Sequence, residues 1–177
     1  NTYDEIPSSS GYWDYRAVVQ EGSCPEAYSD AAQVIVLDPG TVWTGNIDSD
    51  WFTSGNWTSD VPVSTQPTTI PSGTTHNPII SSTTETAECY DLTIQSGAIL
   101  TIDVDGKLSV SNTLDNQAGT NGLIIKSDAS KTGSLIHNNP GVQATAERYI
   151  NNWTSGNELY GWHLISSPVL SPDSAAA

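Results

Sequence analysis

The chain has 177 residues, which is enough for one domain or for a domain with a fragment of a second. It carries 20 Asp and Glu against 5 Lys and Arg, a net charge of −15, so too few cations are present to displace the counterions of nucleic acid or to bind anionic lipid. No run approaches the roughly 20 apolar residues of a membrane helix, so membrane insertion is not expected.

The first predicted element is a β-hairpin within residues 1–37. Residues 12–20 alternate and are rich in aromatic and β-branched side chains, a polar loop follows, and residues 33–37 form the second strand. Two strands alone are marginally stable in water, so we expect this hairpin to pack against something else. Asp38-Pro39-Gly40 predicts a turn and a domain boundary after it.

A tryptophan-rich segment follows the boundary. Trp43, Trp51 and Trp57 lie within fifteen residues, each near Gly, Asn or Asp. Such rings can close the end of a stack of strands, where the first turn would otherwise expose its apolar interior. Exposed rings can instead stack on sugar faces. We favour the cap, and keep carbohydrate binding by these three residues as the alternative function.

An eight-residue repeat occupies residues 91–110. An apolar pair flanks a hydroxyl residue each time, which predicts short alternating strands stacked in a β-solenoid. The predicted structural core consists of Leu92, Ile94, Leu100, Ile102, Leu108 and Val110. We predict that the three leucines lie above one another in a column inside the coil. The intervening Thr93, Thr101 and Ser109 should then project together from one polar outer face.

Short apolar segments on both sides of the repeat extend the same pattern. They are residues 68–71, 77–80, 123–125, 134–136, 144–150 and 162–165. The predicted solenoid domain spans residues 38–170, and residues 171–177 are predicted to be a linker or tail. The predicted fold class is therefore all-β, a parallel β-helix preceded by a hairpin.

Two parts of the chain resemble secreted, multi-modular surface proteins of Bacteroidota. Residues 11–37 are similar to the last two strands of an immunoglobulin-like module, with Tyr15 at the tyrosine before the penultimate strand core. Residues 41–170 resemble a β-helical module of these proteins, through the Trp-Thr-Gly opening, the strand Cys89–Ile94 and the closing Trp-His-Leu-Ile-Ser-Ser-Pro. The resemblance implies an incomplete immunoglobulin-like hairpin, neighbouring modules in a longer chain, export often by type IX secretion, and an extracellular or cell-surface location.

Two acidic loops are the candidate metal sites. Asp48 and Asp50 lie in the tryptophan-rich segment, and Asp103 and Asp105 immediately precede Gly106. Calcium takes several hard oxygen ligands from loops of this kind. Aspartates also favour turns for backbone reasons alone, and neither loop has the twelve-residue calcium pattern with its distal glutamate. Calcium is the one cofactor considered, and both interpretations stay open.

Catalytic motifs are not recognisable in the sequence. The histidines His76, His137 and His163 are widely separated, and neither a Gly-x-Ser-x-Gly nor a His-Glu-x-x-His motif occurs. We expect His163 to be a packed side chain. Cys24 and Cys89 are the only cysteines, and their spacing leaves both a disulfide and two free thiols open.

The predicted function is that of a non-catalytic structural or adhesive module in an extracellular, cell-surface or filament protein. The expected partners are the neighbouring modules of a longer chain, with glycans or a second copy of the chain as further candidates.

Overall fold

The computed structural model describes residues 9–149, and this part of the chain is an all-β structure in which parallel strands stack into a β-solenoid of about five turns. The predicted fold class is confirmed. The strands are β1 Gly11–Tyr15, β2 Val18–Val19, β3 Ala27–Tyr28, β4 Ala32–Val36, β5 Thr41–Val42, β6 Thr68–Ile70, β7 Ile79–Ile80, β8 Ala87–Cys89, β9 Leu92–Ile94, β10 Leu100–Ile102, β11 Lys107–Val110, β12 Leu114–Asn116, β13 Leu123–Ile125, β14 Ser134–Ile136 and β15 Thr145–Ala146. Two 3₁₀ turns, Ser54–Asn56 and Gly119–Asn121, are the helical segments of the described residues.

Each turn of the coil contributes one strand to each of three parallel sheets. The first sheet has the order β5-β6-β9-β12, the second β7-β10-β13-β15 and the third β8-β11-β14. One turn therefore runs through β6, β7 and β8, the next through β9, β10 and β11, and the next through β12, β13 and β14. Backbone hydrogen bonds join each strand to the equivalent strand one turn away, so the ladders run along the axis of the coil.

The length of one turn is close to three times the eight-residue repeat. Leu92 pairs with Leu114, 22 positions later, and Leu100 pairs with Leu123, 23 positions later. The eight-residue period therefore measures the step from one sheet to the next within a turn. Three such steps bring the chain back to the sheet from which it started.

The prediction that Leu92, Leu100 and Leu108 lie above one another is wrong. These residues belong to the first, second and third sheets of the same turn, and they converge on the interior from three sides. Alternation within a strand indicates which side chains point inward, but a local repeat does not reveal how many repeats close a turn. The shared interior itself is as predicted.

The interior is filled by columns that run from turn to turn. The six predicted core residues are all buried, with no more than 2% of each exposed. In the first sheet, one inward column consists of Thr68, Leu92 and Leu114, and the other of Ile70, Ile94 and Asn116. In the second sheet, the two columns consist of Leu100 and Leu123, and of Ile80, Ile102 and Ile125. In the third sheet, they consist of Ala87, Leu108 and Leu135, and of Cys89 and Val110. Burial of these apolar side chains stabilises the coil by about 25 cal/mol per Å².

The predicted row of hydroxyl residues on one face is also wrong. Thr93, Thr101 and Ser109 do point outward, but each lies in a different sheet. Thr93 lies between Thr69 and Asp115, so even within one sheet the outward column is chemically mixed. The outward positions also include Ile79, Ile124 and Ile136, so the outer surface is chemically mixed and presents no regular array.

The N-terminal hairpin consists of two short antiparallel ladders instead of the single pair of strands that the sequence predicted. β1 pairs antiparallel with β4, and the two-residue strands β2 and β3 pair beyond a break in the ladder. No residue of these four strands is fully buried, and Val19 remains 66% exposed. Cys24 lies exposed in the loop and Cys89 is buried in the third sheet, and both are free thiols. The immunoglobulin-like assignment of this hairpin stays a prediction.

At the far end, the predicted strand 144–150 is represented by β15, which covers only Thr145–Ala146. The predicted strand 162–165, His163 and the tail 171–177 lie outside the described residues. The same holds for residues 1–8 of the predicted N-terminal domain.

Candidate functional site: the tryptophan cap and the acidic loops

Three tryptophans close the N-terminal end of the solenoid. Trp43 and Trp51 are completely buried and Trp57 is 5% exposed. The Trp57 ring stands edge-on to both others, with centroid distances of 5.0 Å to Trp43 and 4.7 Å to Trp51. Such T-shaped pairs are the geometry that aromatic quadrupoles prefer. The cluster packs against the same apolar core as the columns of the coil.

Backbone hydrogen bonds place this cap directly on the first turn. The amide of Trp43 donates to Thr69 O over 2.9 Å, which extends the first sheet. The amide of Trp51 donates to Ile79 O over 3.1 Å, and Asp50 forms a parallel bridge with Ile79, which extends the second sheet. The location is the one predicted for a cap.

The burial of the three rings contradicts the expectation that Trp43, Trp51 and Trp57 present exposed faces to sugars. A ring that stacks on a sugar needs one free face, and these rings face one another and the core. These three residues therefore do not present the exposed faces that the alternative function, carbohydrate binding, would need. The physical reason is that the first turn has an apolar interior, and the indole rings are the nearest large apolar groups that can cover it.

The indole N–H groups are used in different ways. Trp43 Nε1 donates to His76 O over 2.7 Å, and Trp57 Nε1 donates to Trp51 O over 2.8 Å. Trp51 Nε1 is buried and has no hydrogen-bond partner among the described residues. His76 in turn makes a 2.8 Å hydrogen bond through Nδ1 to Gly45 O, so this histidine links two loops of the cap.

Asn56 is the polar centre of the cap, and the sequence did not single it out. Its side chain is fully buried. Its Oδ1 accepts from the amides of Ile47 and Asp48 over 2.9 and 3.1 Å, and its Nδ2 donates to Asp48 Oδ1 and Asp50 O over 2.7 and 3.0 Å. One side chain thus satisfies four polar groups of the loop. An Asn beside a predicted capping Trp was the only available signal.

Asp48 and Asp50 stabilise the loop that carries Trp51. Asp48 Oδ1 accepts from the Asp50 amide over 2.9 Å, and Asp50 Oδ1 accepts from the Phe52 amide over 3.1 Å. The hydrogen bond from Asn56, followed by that from the Asp50 amide, lowers the pKa of Asp48 because both favour the carboxylate. These contacts match the turn interpretation of the two aspartates.

The second acidic loop has a similar local role. Asp103 Oδ1 accepts from the Val104 amide over 2.9 Å, and Asp105 forms a 2.5 Å ion pair with Lys131 of the following turn. Gly106 lies so close to the second sheet that a Cβ there would approach Ile80 O to 2.1 Å. Glycine is therefore required at this corner.

The structure places the two pairs of aspartates in separate loops. Within residues 9–149, no group of three or more His, Cys, Asp or Glu side chains is arranged to hold a metal ion. Calcium takes six to eight oxygen ligands, and each loop offers two candidate carboxylates that are already hydrogen-bonded or ion-paired. Calcium binding stays a prediction of the sequence.

Residues 42–176 match the family described as Domain of unknown function (DUF8693). The chain belongs to this family. The match begins at the cap and leaves out the N-terminal hairpin. Comparisons with curated proteins and with solved structures found no match. In the part of the chain that the structure describes, no helix has the length and apolar character needed to cross a membrane.

Proposed function

We propose that the chain is a non-catalytic structural module of a larger extracellular, cell-surface or filament protein, in which it serves as a stiff acidic spacer or display element. The main support for this proposal is that the chain enters and leaves the coil at opposite ends. The chain enters the coil at the tryptophan cap, and β15 lies at the other end, in the last turn that residues 9–149 form. With strands about 4.8 Å apart, five turns separate the two ends by roughly 24 Å.

Continuous packing supports stiffness along this axis. The inward positions of the columns lie in register from one turn to the next, and backbone ladders run in parallel on three sides. Bending the coil would open a ladder on one side and compress a close-packed interior on the other. A closely packed interior resists both changes.

The charge of the module supports a role in an exposed setting. The net charge of −15 keeps such a surface hydrated and opposes association with other acidic surfaces. Three consecutive outward residues of the first sheet, Thr69, Thr93 and Asp115, are polar.

The hairpin supports the proposal that the module has neighbours. Tyr12, Val19 and Tyr28 are between 49% and 66% exposed on a ribbon that is two strands wide. Such a ribbon is marginally stable unless it packs against another surface. An adjoining module of a longer chain is the proposed partner.

A distance measurement between the ends tests the spacer role. We would label Val63→Cys and Asn138→Cys, both at exposed positions, in a Cys24→Ser background so that the buried Cys89 is the remaining thiol. A stiff spacer gives one narrow distribution of single-molecule transfer efficiencies, unchanged between low and high salt. A broad or salt-dependent distribution would contradict the proposal.

The matched control places both labels within one turn. Ser96→Cys follows β9 and Ser111→Cys follows β11, both at exposed positions of the same turn, and they report local dye behaviour rather than the length of the coil. Salt dependence seen only in the long pair would locate flexibility in the coil itself.

A further inference from the structure

The segment that connects the N-terminal hairpin to the coil lies against the coil. The Asp38 amide donates to Thr65 O over 3.0 Å, and the Thr41 amide, at the start of β5, donates to Pro67 O over 2.9 Å. Both acceptors belong to the segment that leads into β6. The connection therefore runs alongside the first turn and is hydrogen-bonded to it at both of its ends.

The residues between these two hydrogen bonds are also held in place. Pro39 has a fixed φ and keeps the preceding Asp38 out of the helical region. The Pro39 carbonyl accepts from Nε2 of Gln66, a side chain that is 7% exposed, over 2.8 Å. A Cβ at Gly40 would meet Pro67 O at 3.4 Å, so the two segments are in close contact here as well. Little of this connection is free to act as a hinge.

The carboxylate of Asp38 binds the hairpin and the coil at the same time. One of its oxygens accepts from the hydroxyl of Ser10, immediately before β1, and the other accepts from the hydroxyl of Thr65. The hydrogen bond from Ser10, followed by that from Thr65, lowers the pKa of Asp38 because both favour the carboxylate. Hydrogen bonds to a charged acceptor are about twice as strong as those between neutral groups. We call Ser10, Asp38 and Thr65 the Asp38 joint.

The joint is polar, and apolar packing does not duplicate it. Within residues 9–149, the apolar core of the coil includes no residue of the four hairpin strands. The family match begins at residue 42, after the joint. The hairpin is therefore attached to the coil by contacts that lie outside both the apolar core and the matched region.

We infer that the Asp38 joint holds the hairpin at one fixed orientation on the coil and so sets the direction in which a neighbouring module is attached to the spacer. The inference rests on the proposed function, because a fixed direction matters only where the coil carries a neighbour. A flexible connection, in which the hairpin moves freely about Pro39 and Gly40, is the competing arrangement. The fixed joint is favoured because hydrogen bonds hold the connection on both sides of Pro39 and through the side chain of Asp38.

Single-molecule energy transfer between the hairpin and the coil tests the inference in the full chain. We would label Gln33→Cys in β4 and Ser96→Cys after β9, both at exposed positions, in the Cys24→Ser background. A fixed joint gives one narrow distribution of transfer efficiencies. Asp38→Ala removes the shared acceptor and should broaden or split this distribution, while the free energy of unfolding of the coil stays unchanged.

Two further variants separate the joint from general effects on the hairpin. Asp30→Ala is the matched control, because it removes another carboxylate of the hairpin at an exposed position, and it should leave the distribution narrow. Thr65→Val removes the hydroxyl on the coil side and changes no residue of the hairpin. It should broaden the distribution in the same way as Asp38→Ala, although less strongly, because Ser10 still binds the carboxylate.

Three results would overturn the inference. A broad distribution in the unaltered chain would show a flexible connection. A narrow distribution in both the Asp38→Ala and the Thr65→Val chains would show that the joint does not fix the orientation. Equal broadening by Asp30→Ala would assign the effect to the charge of the hairpin.

The pair of labels at Val63 and Asn138 separates failure of the joint from failure of the spacer. If that pair stays narrow while the pair at Gln33 and Ser96 is broad in the unaltered chain, the joint is refuted and the stiff coil stands. If both pairs are broad, the coil itself is flexible and the proposed function fails with the joint.

Discussion

Leu114 lies in register beside Leu92 in the first sheet, 22 positions later in the chain, and both side chains are buried in the interior. One complete turn therefore lies between them. A deletion of residues 92–113 removes a whole turn and joins Asp91 to Leu114, the residue that takes the place of Leu92. We expect this variant to keep its β-structure and to melt cooperatively at a lower temperature, because it loses one layer of core. Circular dichroism during heating measures both properties.

A deletion of residues 92–99 is the matched control. It removes one eight-residue repeat, which is a third of a turn, and so moves every later strand onto the wrong sheet. We expect no cooperative melt from this shorter deletion, although it removes fewer residues. The turn assignment would be wrong if the eight-residue deletion were tolerated better than the 22-residue deletion.

The repeat illustrates what local sequence can and cannot determine. The inward positions of Leu92, Leu100 and Leu108 were predictable because alternation within a strand depends only on the backbone of that strand. Their division among three sheets depends on the direction of each corner, for example the turn at Gly106 that passes close to Ile80 O. That direction arises from contacts between residues of different turns, which a single local period does not encode.

The cap was predictable in part for a related reason. A stack of strands with an apolar interior requires a cover, and Trp43, Trp51 and Trp57 were the available apolar groups. The role of Asn56 was not predictable, because it depends on four partners that meet only after the loop has folded. The acidic residues around it were visible in the sequence, but their use as turn acceptors appears only in the folded loop.

Truncation of the central ring should unfold the cap. Trp57→Ala removes the ring that contacts both Trp43 and Trp51. A large-to-small change of a buried aromatic residue costs about 3–5 kcal/mol, and we expect a loss of that size in the free energy of unfolding. Chemical denaturation measures it. Trp13→Ala in the N-terminal hairpin is the matched control, which should leave the unfolding of the coil nearly unchanged. A Trp57→Ala chain of normal stability would contradict the cap.

Asn56→Ala should destabilise the same loop through polar rather than apolar groups. The change leaves the part-buried amides of Ile47 and Asp48 without their acceptor and removes the two hydrogen bonds that Nδ2 donates, and we expect a loss of about 3 kcal/mol. Asn56→Asp keeps the acceptor oxygen but turns a carboxylate toward Asp48, so it should also destabilise the chain, and more strongly at neutral than at acid pH. Asn138→Ala, at an exposed position, is the control and should be neutral.

The stability of the cap should depend on the charge of Asp48. Hydrogen bonds from Asn56 and the Asp50 amide lower the pKa of Asp48 in the folded chain, whereas the unfolded value is about 3.9. The unfolded chain therefore binds a proton more readily, so this carboxylate stabilises the fold above about pH 4, and the effect is lost as the pH falls through the folded pKa. Asp48→Asn should destabilise the chain most at neutral pH, with a difference that shrinks in acid. Urea unfolding at several pH values measures the difference, and a constant value from neutral to strongly acidic pH would refute the assignment.

The two thiols should differ sharply in reactivity. Burial, followed by the nearby charges of Asp91 and Glu88, raises the pKa of Cys89 to about 12, whereas Cys24 is exposed in the hairpin loop. Because the thiolate is the reacting form, a disulfide reagent at mildly alkaline pH should titrate one thiol per native chain and both after denaturation. The Cys24→Ser substitution should abolish the fast reaction of the native chain. The remaining slow reaction is that of Cys89, and its rate reports how often the third sheet opens. Reaction of Cys89 in the native Cys24→Ser chain as fast as that of Cys24 in the unaltered chain would mean that the β8 column is not closed. A denatured chain with no reactive thiol would instead show that the two cysteines are joined, and would require the hairpin to fold back onto the coil.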